Sequence, residues 1–321
     1  MTVQQQTQLR TGLTAASTAD EVMTGVNLGG TTVLVTGGYS GLGLETTQAL
    51  VKAGARVLVP ARRVELAHAR LEGLAEVTVI PMDLADVVSV RMACEQLREC
   101  EKRLDIVIAA AGVMASPERR VGPGWESQFA INHLGHFVLI NLLLPLLAKA
   151  DGARVVSYSS AGHHLSDIRW KDMHFEGGYD KWLAYGQSKT ANVLFAVHLD
   201  AIAKNDGVRA FSLHPGAIMT ELQRDMTCAE QIERGWIDAE GNIVGRGFKT
   251  PSQGAATGLW AATSPMLGSR GGVYCEDCNI APLASAEGSM DDGGVRDYAI
   301  DPESAERLWR VSAEVTGVTS A

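Results

Sequence analysis

The chain has 321 residues, 46 % of them apolar and 20 % charged, with a formal net charge of −9. Acidity spread without basic blocks excludes a broad nucleic-acid surface, which needs concentrated Lys and Arg, and the apolar content excludes a chain dominated by disorder. Five cysteines do not form a disulfide framework in a chain of this length, which places the protein in a reducing, cytoplasmic setting.

Residues 1–26, rich in Gln, Thr and Ala, lack the basic start and apolar run of a signal peptide and are expected to form a flexible extension. From Thr31 to Val156, β-branched runs alternate with longer helical patterns: TTVLVT, ARVLVP, VTVIPM, LDIVIAA and ARVVSYS. A sixth strand, VRAFSLH, follows the helix around Lys189. This rhythm predicts an α/β fold, a single doubly wound parallel sheet with helices on both faces. The apolar run Phe137 to Leu147, interrupted by Asn141 and Pro145, is too short to cross a bilayer and reads as a buried helix, so no membrane anchor is expected. An irregular insertion occupies about 221–250, and a stretch of that length inside a compact domain is usually functional or disordered. Pro302 opens a closing amphipathic helix, ESAERLWRVSAEV. Cys275 and Cys278 form one C-x-x-C without a second pair, so buried thiols are expected and no metal.

The first strand runs into Thr36-Gly37-Gly38-Tyr39-Ser40-Gly41-Leu42-Gly43, and a helix follows. Glycines there let the backbone turn sharply and approach a pyrophosphate, while the helix N-terminus offers free N–H groups. The spacing T-G-x-x-x-G-x-G resembles that of the short-chain dehydrogenases/reductases, a family with a Rossmann-type fold. With it come further resemblances, covering about Asn27 to Gly317. Where NAD-using members carry an acid at the end of the second strand there is Ala61, and Arg62 stands where NADP-using relatives bind the 2′-phosphate. Ser40 is not the basic residue common in NADP-specific members, so NADP(H) is favoured and NAD(H) left open. Asp83 and Leu84 resemble the adenine-contacting pair. Ala110-Ala111-Gly112 replaces the usual N-A-G, whose Asn braces the central sheet. Pro215, Gly216, Ile218 and Thr220 match the segment that contacts the nicotinamide.

Tyr185 and Lys189 are four apart, hence on one face of a helix. A phenol titrates near 10, about three units too high for a base at neutral pH; a neighbouring cation, joined by an oxidised nicotinamide ring, is expected to lower it. Tyr-x-x-x-Lys is weak alone. Its support is the resemblance of Ser160, second of the pair in SSAGHH, to the catalytic Ser, and of Asn132 in N-x-x-G to the family's proton-path Asn.

Within the family, YGQSKTANVLF, SSAGHH, GGVYCEDC and the final ERLW helix are most similar to the retinol dehydrogenase and WW-domain oxidoreductase branch. That resemblance implies interconversion of an alcohol and a carbonyl on a bulky lipophilic molecule. Met219 and Leu222, with Met226, Trp236, Ile237 and Phe248, are candidates for an apolar lid. A lyase, isomerase or C=C reductase on the same nucleotide, or a sensor without turnover, are the alternatives. His163, His164, His174 and His214 read as structural. A homodimer or homotetramer through the two long helices is possible, one interface of which the C-terminal extension would block.

Overall fold

The structure, a computed structural model, describes residues 6–245 and 247–318. A single helical turn, α1 (Ala19–Val22), leads to β1 (Thr32–Thr36) and α2 (Gly41–Lys52). The alternation continues through β2 (Arg56–Ala61), α3 (Val64–Leu71), β3 (Val77–Pro81), α4 (Val87–Cys100) and β4 (Ile106–Ala109). A small ribbon, β5 (Arg120–Val121) and β6 (Trp125–Glu126), precedes a long helix in three parts: α5 (Ser127–Phe129), a π-helical stretch (Ala130–Leu134) and α6 (Gly135–Leu147). Then come β7 (Arg154–Tyr158), α7 (Lys181–Ala203), β8 (Arg209–Leu213), α8 (Cys228–Glu233), α9 (Pro251–Thr263), β9 (Val273–Glu276), β10 (Asn279–Ile280) and α10 (Pro302–Thr316).

The main sheet has the order β10-β9-β8-β7-β4-β1-β2-β3. Every pairing in it is parallel except β10 on β9. Alternate residues of each strand enter different cores. Leu34, Leu58, Val107 and Val155 pack with Val90 of α4, Phe137 of α6, Phe195 of α7 and Trp309 of α10. Their neighbours Val33, Val57, Ile106 and Val156 pack with Leu50 of α2, Ala67 of α3 and Leu259 of α9. Because both faces are covered, the strands read as unbroken apolar runs instead of alternating ones. This is the doubly wound arrangement expected, with helices on both faces.

Helix ends follow the chemistry of their caps. Asp301 caps α10 by accepting from Ser304 N–H, Pro302 fills the first position, and Gly317 closes the helix in the left-handed region. Trp309 stacks on Phe195 of α7 at 5.6 Å and meets the edge of Phe137 of α6 at 4.9 Å. So α10 lies on one face of the long helices α6 and α7. By length and composition, Ser127–Leu147 could cross a membrane, but 78 % of its apolar window is buried inside the protein.

The N-terminal segment departs from the loose extension expected. Over residues 6–26 it is laid along the domain. The buried Gln6 amide donates to Tyr274 O at 3.0 Å and Ala281 O at 2.9 Å, and accepts from Tyr274 N–H at 3.0 Å. Leu9 exchanges two hydrogen bonds with the Asn279 side chain, and Ala16 O accepts from Gln253 of α9 at 3.0 Å. These partners lie some 240 to 275 residues away in the chain, beyond the reach of a local reading.

Candidate active site

The carboxyl ends of the parallel strands carry the site, as they do wherever a doubly wound sheet binds a ligand. At the end of β1, Gly37 has φ +70°, and a Cβ on Gly43 would lie 2.2 Å from the Gly37 carbonyl oxygen. No other residue closes that turn without moving backbone. Ser40 occupies the N-cap of α2 without a side-chain cap bond, so the N–H groups of the first turn are open to an anion. Tyr39, Ser40, Gly41 and Leu42 are half-buried along this groove.

The segment after β8 arches over the loop. A Cβ on Gly41 would lie 3.5 Å from Thr220 Cβ, and Leu42 and Ile218 share the space above Gly254. Thr220 caps the following turn by accepting from Leu222 N–H at 3.1 Å. Pro215 and Gly216 lead into this arch, with Gly216 against the Lys249 side chain.

At the end of β2, Arg62 is exposed and has no polar partner among the described residues. Arg63 instead faces Glu221 at 3.9 Å, and Arg70 of α3 binds the same carboxylate at 2.6 Å. Asp83 Oδ1 accepts from Ala85 N–H at 2.9 Å, fixing the turn into α4. Leu84 is packed against the start of α6, its carbonyl 2.4 Å from where a Gly135 Cβ would sit.

The missing Asn at Ala110 is replaced by another brace. His136 donates Nδ1–H to Asn132 O at 3.0 Å, the Thr36 hydroxyl donates to His136 Nε2 at 2.9 Å, and Ala111 N–H donates to Thr36 Oγ1 at 3.1 Å. That chain of bonds ties β1, the loop after β4 and α6 together, and burial keeps the ring neutral, its pKa pushed down to about 4. Gly112 follows, facing Asn132 Oδ1 and Lys189 Nζ.

Ser160, Tyr185, Lys189 and Asn132 are brought together. Ser160 Oγ accepts from Gly162 N–H at 3.0 Å, flanks Gly162 together with the edge of the Tyr185 ring, and draws the Tyr185 phenol down. Lys189 Nζ lies 5.6 Å from the Tyr185 ring centroid and donates to Tyr158 O at 3.0 Å. Asn132, fully buried, donates to Val113 O and to Ser188 Oγ, both at 2.9 Å, and accepts from Val113 N–H at 2.9 Å. Gly162 is what admits the tyrosine: a Cβ there would lie 2.6 Å from Tyr185 Cε1.

The protein's own groups set the phenol high. Burial pushes the Tyr185 phenol up to about 12, and the hydrogen bond with Ser160 draws it back only in part. Burial also lowers Lys189 to about 8. An ammonium this buried, with its bond directed at a carbonyl, does not acidify the phenol by itself.

Over Tyr185 lies a small apolar cluster of Met114, Ala115 and Met226, joined by Trp182, Leu222 and Trp236. Trp182 meets Tyr185 edge-on at 6.4 Å and Trp236 at 6.3 Å, and Trp236 meets Phe248 at 6.2 Å. Leu222 therefore joins this cluster, while the half-buried Met219 lies outside it. The insertion holds two short helical turns, Glu221–Asp225 and Cys228–Glu233, not an unstructured loop. Polar pairs fasten it: Arg70 with Glu221, Ser116 Oγ with Asp225 at 2.9 Å, and Lys181 with Glu230. Trp182, Met114 and Gly162 escaped the sequence reading. Trp182 sits three residues before Tyr185, one turn along the same helix face, which was the available signal.

Cys275 and Cys278 are both buried, and burial raises both thiols, Cys278 to about 11.

Residues 31–231 match the family model of the short chain dehydrogenases. The chain is 42 % identical over 297 residues to a "Probable oxidoreductase" of Streptomyces lividans, covering 90 % of this chain and 98 % of that relative. It is 35 % identical over 301 residues to retinol dehydrogenase 12 of Mus musculus, covering 92 % and 89 %. A solved structure from Mycobacterium paratuberculosis superposes with a TM-score of 0.72 at 30 % identity, over 96 % of this chain and 98 % of that one. The RhlG protein of Pseudomonas aeruginosa, solved as an active-site complex with NADP, gives 0.60 at 26 % identity over 77 % and 94 %. The protein belongs to the short-chain dehydrogenase/reductase family of oxidoreductases. Its similarity runs to the retinol dehydrogenases within that family.

Proposed function

We propose that this enzyme interconverts an alcohol and a carbonyl on a bulky lipophilic molecule in the cytoplasm, with NADP(H) as the favoured cofactor. The observation that carries the reading is the contact of Ser160 with Tyr185 beneath an apolar lid. Ser160 Oγ already accepts from Gly162 N–H, so its own proton is free for Tyr185 or for a substrate oxygen.

The nucleotide fits the residues present. The cradle at Gly37 and Gly43 would hold the pyrophosphate against the open N-terminus of α2, with Asp83 and Leu84 by the adenine and Arg62 by a 2′-phosphate. Ala110, Ala111, Gly112, Pro215, Gly216, Ile218 and Thr220 would line the remainder, together with Tyr185 and Lys189. When bound, the nicotinamide supplies or takes up the hydride.

The protein's own residues do the rest. Ser160 Oγ orients the substrate oxygen, and Tyr185 Oη gives that oxygen its proton in reduction or takes it in oxidation. Lys189, anchored on Tyr158 O, holds a charge beside the phenol, and Asn132 supports the proton route behind it. Met114, Leu222, Met226, Trp182 and Trp236 exclude water and accept an apolar body. The elevated phenol favours the acid role, hence reduction, until a positive cofactor ring is present.

The test is an initial-rate screen of all-trans-retinal, a 17-ketosteroid and benzaldehyde with NADPH and NADH side by side. Tyr185→Phe is expected to lose about a hundredfold or more in kcat; full turnover in that variant would overturn the acid/base assignment. Arg62→Ala is expected to raise KM for NADPH about tenfold and leave that for NADH unchanged. Equal or better rates of the unaltered enzyme with NADH would overturn the role given to Arg62.

A further inference from the structure

The turn that carries Ser160 is held by a histidine. The Ser160 carbonyl accepts twice from His163, from its backbone N–H at 3.0 Å and from Nδ1 at 2.7 Å. On the other side of the ring, the backbone N–H of Arg296 points at Nε2 at 3.1 Å. A backbone N–H can only donate, so Nε2 accepts and the ring proton sits on Nδ1. The ring is fully buried and stays neutral, because burial pushes its pKa down to about 3.

The His163 carbonyl is engaged as well. Tyr298 OH donates to it at 2.7 Å and Thr190 Oγ1 at 3.2 Å. Thr190 directly follows Lys189, and Arg296 and Tyr298 lie just before α10. One residue therefore ties the Ser160 turn to the helix of Tyr185 and to a segment about 135 residues further along the chain.

We propose that His163 is a positioning residue, whose Nδ1–H fixes the Ser160 carbonyl while Arg296 anchors Nε2, so that Ser160 Oγ stays on Tyr185. The inference rests on the reading of Ser160 and Tyr185 given above. Its consequence is that the 294–298 segment supports catalysis without touching substrate. His164 braces the same segment from the next position: its Nε2 donates to Gly294 O at 3.0 Å and its ring meets that of His163 edge-on at 4.4 Å, without a bond to Ser160.

Three measurements test this. Long-range 1H–15N correlation on the histidine-labelled protein is expected to show His163 protonated at Nδ1 and bare at Nε2, unchanged from about pH 8 to about pH 5. A proton on Nε2 would overturn the proposal without any activity assay. The second uses the fastest carbonyl of the screen with NADPH. His163→Asn keeps a donor near the Nδ1 position, and kcat is expected within about threefold of the parent; His163→Gln reaches only the Nε2 position and is expected to lose about tenfold or more, with KM for NADPH unchanged. The pH profile of kcat should also move alkaline in His163→Gln, because loosening Ser160 removes the bond that draws the Tyr185 phenol down. Wild-type kcat and pH profile in that variant would overturn the proposal.

His164→Gln, which loosens the same segment and removes the ring packed on His163 at 4.4 Å, is expected to lower Tm and to lower kcat about twofold to threefold, less than His163→Gln. Should His163→Gln fail to fold, Tyr298→Phe, which removes one bond to the His163 carbonyl, is expected to lower kcat about twofold to threefold; an unchanged kcat there would count against the proposal. Tyr185→Phe run in parallel separates the two levels. If it is inactive and His163→Gln is normal, the positioning role fails and the acid/base reading stands; if it is active, the acid/base reading itself fails.

Discussion

The nucleotide end and the lid are built on different physics. At the nucleotide end, backbone meets backbone: Gly43 faces the Gly37 carbonyl, and the missing side chains define the shape. The lid over Tyr185 is fastened by side-chain tips, Arg70 on Glu221, Ser116 on Asp225 and Lys181 on Glu230, with edge-to-face rings beneath. A cradle of the first kind has one shape and tolerates no added atom. A cover of the second kind can shift, since exposed ion pairs contribute little and are screened by salt. The difference fits a cofactor that is always the same and a substrate that enters and leaves.

The sharpest way to break this contrast is Gly43→Ala, which forces a methyl group into the Gly37 carbonyl. NADPH affinity, followed by fluorescence titration, is expected to fall about a hundredfold, with about 1–3 kcal/mol of stability lost to overpacking. A normal Kd would mean the cradle is as adaptable as the lid. Next, Gly162→Ala pushes Tyr185 out of line: kcat should drop about thirtyfold or more while the Kd for NADPH stays within about twofold.

Trp236→Ala should raise KM for the lipophilic carbonyl about tenfold, again with nucleotide affinity unchanged, and an effect on NADPH instead would erase the division drawn here. Acid is the mildest probe. Glu230 titrates near 2 in the folded lid because Lys181 and the Thr227 N–H hold its carboxylate, against a usual 4.5. A depressed carboxylate supports the fold above its unfolded pKa, and that support drains away as pH falls from about 4.5 to about 2. Trp fluorescence of the lid should report loosening in that window, and Glu230→Gln should flatten the change.

Most of the layered fold was legible because the inner strands bury both faces and so appear as uninterrupted apolar runs. Tyr185 and Lys189 were legible as a pair because the helix period sets their spacing, while Ser160 and Asn132 were legible through the resemblance of their motifs to those of the short-chain dehydrogenases/reductases. Gly162 was not, although it lies inside a quoted motif, because the ring it must avoid belongs to α7, more than twenty residues on. Trp182 and Met114 were hidden likewise: an apolar residue declares burial, not which neighbour it buries. For Tyr185 a sequence shows the charge of Lys189 and hides the desolvation that both groups undergo. The N-terminal segment was misread as loose since its composition is polar and its partners lie at the opposite end of the chain.

That segment bears on how the molecule behaves in a crowd of its own copies. β10 is only two residues long, and past it Tyr274 on β9 receives one backbone bond on that edge, from Ala281 N–H to its carbonyl at 2.9 Å, while its N–H finds no strand. The Gln6 side chain accepts from the Tyr274 N–H and donates to the Tyr274 carbonyl, imitating a neighbouring strand with a single amide. An open strand edge is a template for a second chain, and the tail fills it before another molecule can. Trimming the first dozen residues would thus surface as self-association and lost solubility, with the turnover of the remaining monomer little changed.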